Sequence, residues 1–69
     1  MKVVVNGSAH ELADGASVEA AVAASGAATS MRGIAVAVEG EVVPRGEWPR
    51  RPLSEGQRVE VLQAVQGGS

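Results

Sequence analysis

Three consecutive valines, Val3-Val4-Val5, run directly into Asn6-Gly7, and that junction constrains the fold more than any other stretch. β-Branched valine favours a pleated strand, while Asn-Gly accepts the two positive φ angles of a tight hairpin turn. The chain should therefore double back, with Ser8 to Ala13 as the returning strand. A second stretch repeats the logic. Ile34, Val36 and Val38 alternate with Ala35 and Ala37, which puts the bulkier side chains on one face of what reads as the central strand. Glu39-Gly40 turns that strand, Val42-Val43 begins its return, and Pro44 ends it because proline has no N–H for the ladder.

Between these hairpins lies SVEAAVAASG, where Val18, Ala21 and Val22 follow the i, i+3, i+4 spacing of one helical face. Asp14-Gly15 turns into it, Ser17 is the expected N-cap, and Gly26 the stop. Glu19 in the first turn suits the positive end of the helix dipole. The segment from Arg45 to Pro52 is expected to be irregular, with at most a short helical turn around Gly46 to Trp48. Glu55-Gly56 turns the chain again. In the last strand Val59 and Val61 share one face, opposite Arg58, Glu60 and Leu62.

The order strand, strand, helix, strand, strand, irregular segment, strand predicts an α+β fold of β-grasp type. It implies a mixed sheet of four to five strands with one main helix packed on one face. The last strand can lie between earlier ones, which would hold its register on both sides. Residues 1–65 form the expected domain, and 66–69 a flexible tail carrying Gly67-Gly68 and then Ser69.

At 69 residues the chain has room for one small domain with a thin core, which makes a catalytic cleft an improbable reading. It has no cysteine and one histidine, His10, which rules out disulfides, thiol redox chemistry and a cysteine metal site. The net charge is −2 and Trp48 is the one aromatic residue, so the expected partners do not include nucleic acid. The opening MKVVVNGSAHELADG is too short in apolar run for a signal peptide or a membrane span. A soluble cytoplasmic protein, with no membrane partner, is the expectation.

The tail is the candidate site. Two glycines make a thin strand able to thread a narrow channel, and a carboxylate beyond a glycine has no β-carbon beside it. Such a carboxylate suits acyl adenylation, in which its oxygen attacks the α-phosphate of ATP and the mixed anhydride then accepts a nucleophile such as sulfide or a persulfide. A disordered chain end is the competing reading of the same residues.

The run VAVEGEVVPRGEWPRRPLSEGQRVEVLQAVQGG resembles the C-terminal half of the ThiS family, the small sulfur carriers of thiamine thiazole biosynthesis. The likeness rests on the hairpin ending Val-Val-Pro-Arg, Trp48 after Gly46, the turn Leu-Ser-Glu-Gly, and the ending Ala-Val-Gln-Gly-Gly. VVVNGSAHEL and GASVEAAV are similar to the family's opening, so the resemblance spans nearly the whole chain. Glu39 stands where members often carry asparagine, Gln57 where they often carry aspartate, and Ser69 follows the glycine at which the family chain stops. The resemblance implies a ubiquitin-like protein cosubstrate rather than an enzyme, with no bound cofactor. Its C-terminal glycine would be adenylated by a ThiF-type enzyme that uses ATP, and converted to a thiocarboxylate by a persulfide sulfur donor. A ThiG-type thiazole synthase would take the sulfur. Gly67 and Gly68 would carry this chemistry, Ser69 would have to be removed, and the missing thiol would leave the terminal carboxyl as the place for sulfur. Alternatives are a carrier for molybdopterin or cysteine synthesis, a ubiquitin-like modifier, or an inert binding module with a disordered tail.

Leu62 and Val65 are the candidate docking residues. Leu62 falls on the face opposite Val59 and Val61, where it could meet a partner or pack on a neighbour such as Val4. Trp48 reads as a lid over the aliphatic core. Arg45, Arg50 and Arg51 read as a solvated loop, and His10 as a residue on the wet face of its strand.

Overall fold

A computed structural model describes residues 1–26 and 33–63. Its elements are β1 (Lys2–Val5), β2 (Ser8–Glu11), α1 (Val18–Ala24), β3 (Ile34–Val38), β4 (Glu41–Val43), a 3₁₀ turn (Arg45–Glu47) and β5 (Arg58–Gln63). They form a five-stranded sheet in the order β2-β1-β5-β3-β4. β5 pairs parallel with β1 and antiparallel with β3, and the two hairpins are antiparallel. This is the β-grasp arrangement expected from the element order. One expectation needs correcting: the middle of the sheet is β5, while β3 is interior but second from the edge.

Both hairpins close with paired positive φ angles, at Asn6 (49°) and Gly7 (83°) and at Glu39 (51°) and Gly40 (84°). That geometry matches the right-handed twist of the flanking strands. Asparagine tolerates it readily. Glutamate at 39 is less natural there, and its carboxylate accepts the Arg58 N–H at 2.6 Å, a charge-assisted bond that offsets the backbone cost. Gln57 likewise does the work of a shorter acid, its Oε1 accepting the Ser54 N–H at 2.8 Å across the Glu55-Gly56 turn.

The helix presents Val18, Ala21 and Val22 to the sheet. Ser17 occupies the N-cap, but its hydroxyl caps nothing. The first amides are instead satisfied from the irregular segment, Val18 N–H by the Arg51 carbonyl at 2.8 Å and Glu19 N–H by the Trp48 carbonyl at 3.2 Å. The segment from 44 to 53 thus serves as the helix cap, which explains how a loop with three prolines stays ordered. Gly26, at φ 85°, ends the helix as expected.

The core is almost all valine: Val3, Val5, Val18, Val22, Val36, Val38, Val43, Val59 and Val61, with Ala21, Leu53 and Trp48. Trp48 is 3% exposed and its indole N–H donates to the Val43 carbonyl at 3.0 Å, so it is the lid foreseen. His10 is a correction. It pairs with Val3, and cross-strand partners share a face, so His10 lies half-buried on the helix side of β2 rather than on the wet face.

Candidate functional site

β1 and β5 are parallel, with Val4 beside Arg58 and Val5 beside Val59. The Met1 end of the sheet is therefore where β5 begins, and the Asn6-Gly7 turn lies toward the end where β5 runs out at Gln63. Ile34, at the start of β3, faces Gln63 there. Gly67, Gly68, Ser69 and Val65 lie outside the described residues, so the described part of the site is the root of the tail and the sheet face beside it.

On β5, Val59 and Val61 point into the core while Arg58, Glu60, Leu62 and Gln63 are exposed. Leu62 is 64% exposed. Leu62 therefore stands on the face away from the core and is not covered by a neighbour. It lies opposite Ala35 of β3, and Val42 of β4 lies opposite Ala37. Val42 is 70% exposed, so two large apolar residues flank a strip of small alanines on one sheet face. Leu62 also lines an open groove of about 390 Å³ with Val4, Asn6, Gly7, Arg58 and Glu60. Val4 is thus a neighbour across a hollow rather than a side chain that covers Leu62.

A sheet face with helix on one side and Leu62, Val42 and two alanines on the other can dock an apolar partner surface, and Arg58 and Glu60 alongside can fix its orientation. Val42 was not singled out from the sequence. The signal was available, since burying Val43 before Pro44 puts Val42 on the opposite face. The side chain of Asn6, read only as a turn former, donates its Nδ2 to the Val61 carbonyl at 3.1 Å and accepts the Val61 N–H on Oδ1 at 2.8 Å.

In the loop after β4, Arg51 pairs with Glu41 at 2.9 Å and Arg50 donates to the Gly46 carbonyl at 3.3 Å. Arg45 stacks its guanidinium 5.4 Å from the Trp48 ring. The three arginines therefore decorate a loop, as expected, and do not converge on one point. At the Met1 end the terminal amine meets Glu11 at 3.1 Å and Asp14 at 3.2 Å. The hydrogen bonds to Glu11 and then Asp14 raise its pKa above the ordinary value. Among the described residues no three His, Cys, Asp or Glu side chains are grouped to hold a metal, and no helix is long and apolar enough to cross a membrane.

The model of the ThiS family matches residues 3–68, which takes in all of the sheet but Lys2, the helix and both tail glycines. The chain belongs to the ThiS family. Two solved structures agree. The crystal structure of the thiamine biosynthesis protein ThiS from Geobacter metallireducens is 27% identical, with TM-score 0.76, and the match covers 99% of this chain and 100% of that one. A solution structure of a thiamine biosynthesis protein from the same organism is 27% identical with TM-score 0.74, covering 100% of this chain and 90% of the other. Coverage this complete makes the likeness one of entire domains rather than of a shared hairpin. No curated protein matches the chain. Within this ThiS chain the family match stops at Gly68 and leaves Ser69 outside.

Proposed function

We propose that this protein is a sulfur carrier of thiamine biosynthesis, working in the cytoplasm as a protein cosubstrate and not as an enzyme. The observation that carries the reading is the family match running to the second glycine, residues 3–68. The similar structures, both of thiamine biosynthesis proteins, support the pathway.

In this reading a ThiF-type enzyme docks the exposed face around Leu62 and takes the tail, with Val65 as a further contact. A carboxylate oxygen of Gly68 attacks the α-phosphate of ATP, pyrophosphate leaves, and a glycyl adenylate remains. Hydrosulfide then attacks the carbonyl carbon and AMP departs, leaving the thiocarboxylate. If the donor is a persulfide, the acyl disulfide first formed is cleaved by a thiol to the same product. A ThiG-type thiazole synthase takes the sulfur and the carboxylate is restored. The carrier itself holds no cofactor. Gly67 and Gly68 serve by being thin. In a chain ending at Ser69, Gly68 has a neutral amide carbonyl that cannot attack ATP, and the serine carboxylate sits one residue too far along the channel for in-line displacement. Activity therefore requires loss of Ser69.

The test uses chains 1–68 and 1–69 with purified activating enzyme, ATP and a sulfide source, and no peptidase. Chain 1–68 is expected to support pyrophosphate exchange and to show the mass of an oxygen-to-sulfur replacement, and chain 1–69 neither. Equal activity would overturn the role of Ser69. No exchange in either chain would overturn the carrier reading, and transfer onto other proteins would make the chain a modifier. A thiocarboxylate accepted by molybdopterin or cysteine synthesis, but not by thiazole synthase, would change the pathway.

A further inference from the structure

β5 is held on two sides along only part of its length. On the β3 side the pairing continues to Gln63, opposite Ile34. On the other side β1 supplies the Asn6 N–H to the Val59 carbonyl at 2.9 Å and then leaves, because Asn6 and Gly7 adopt positive φ. The next groups of β5 facing that side are the N–H and C=O of Val61. A continuing parallel strand would have met both.

The Asn6 side chain meets them instead. Its carboxamide has the same donor and acceptor as a peptide group, and both are used on Val61, at 2.8 Å and 3.1 Å. The partner is 55 residues along the chain. Turn chemistry alone would be met by the Asn6 backbone, and it does not require the side chain to reach another strand. The consequence is one additional rung on β5, set immediately before Leu62.

We propose that Asn6 is a positioning residue for the carrier reaction. By fixing the main chain of Val61 after β1 has turned away, it sets the point and heading at which β5 hands over to the residues leading to Gly68. The assignment rests on the sulfur-carrier reading. It separates two jobs, with the sheet face providing affinity and Asn6 providing alignment of the terminus with ATP. Misalignment at the reacting atoms lowers turnover more than it lowers binding.

The experiment compares chain 1–68 with Asn6→Gly, which keeps the positive φ and removes both bonds, and Asn6→Asp, which keeps the shape but turns an acceptor toward the Val61 carbonyl. Hydrogen exchange at the Val61 amide should accelerate in Asn6→Gly while Val36 and Val38 in β3 stay protected. In pyrophosphate exchange with the ThiF-type enzyme, kcat should fall about tenfold or more in both variants while KM for the carrier stays within about twofold. Val18→Ala, a core change remote from the tail, serves as the destabilised control and should keep kcat. Unchanged kcat in a folded variant, a rise in KM alone, or an equal loss in the Val18→Ala control would each overturn the proposal. Should Asn6→Gly fail to fold, Asn6→Asp decides by the same criteria. Failure of unmodified chain 1–68 to be activated would instead remove the carrier reading on which the assignment rests.

Discussion

Trp48 shows how much a single side chain carries in a core of valines. The ring is 3% exposed, its N–H satisfies the Val43 carbonyl, and its own carbonyl accepts the Glu19 amide at the helix start. It therefore links β4, the loop and the helix. Trp48→Phe keeps most of the buried area and deletes the indole donor, and is expected to cost about 1–3 kcal/mol. Urea unfolding followed by circular dichroism measures this, since the variant has no tryptophan emission. A loss below about 0.5 kcal/mol would show that the hydrogen bond to Val43 is replaced by water. Asn6 makes a comparable link between the β1-β2 turn and β5, through side-chain amide rather than ring.

At the scale of the element, β5 is the one strand with neighbours on both sides that come from different hairpins, and its two faces do different work. Val59 and Val61 close the core while Leu62 stands out. Leu62→Glu places a charge on the exposed face, so stability should change by no more than about 0.5 kcal/mol. Activation of chain 1–68 by the ThiF-type enzyme should slow through a higher KM, because docking would bury an unpaired carboxylate. Thermal unfolding checks the first statement and steady-state pyrophosphate exchange the second. A folded variant with unaltered kinetics would remove Leu62 from the docking face and leave Val42 as the residue to change next.

For the whole molecule, the strand order decides how cooperative the fold is. The hairpin β1-β2 and the hairpin β3-β4 meet in the sheet only through β5, which is inserted between them. A chain ending at residue 57 keeps both hairpins, the helix and most of the core valines, yet it should not fold, because each hairpin alone is marginal in water. Far-ultraviolet circular dichroism and the absence of a thermal transition would check this. A cooperative transition in that fragment would mean that the helix, rather than β5, joins the two halves. The strand that completes the sheet also carries the exposed Leu62 and precedes Gly67-Gly68 in the sequence.

How much of this was written in the sequence follows from the range of the interactions involved. Turn chemistry and side-chain periodicity act over a few residues, so Asn6-Gly7, Glu39-Gly40 and the spacing of Val18, Ala21 and Val22 located the hairpins and the helix. The alternation in Arg58 to Leu62 separated core from surface for the same reason. Strand Ser8–Glu11 is shorter than the expected Ser8 to Ala13: Lys2 opposite Glu11 is the last pair of the ladder, Met1 and Leu12 still exchange hydrogen bonds at 2.6 and 2.8 Å, and the chain then turns at Asp14-Gly15. The face taken by His10 and the cap of the helix were not legible, since both depend on registers and carbonyls supplied from distant segments. The sequence by itself determined the elements, their order and the valine faces that β1, α1, β3 and β5 bury. Only the tertiary structure decided that β5 enters between β1 and β3, that the loop around Trp48 caps the helix, and that Asn6 holds Val61, because each of these joins groups far apart along the chain whose meeting no local pattern encodes.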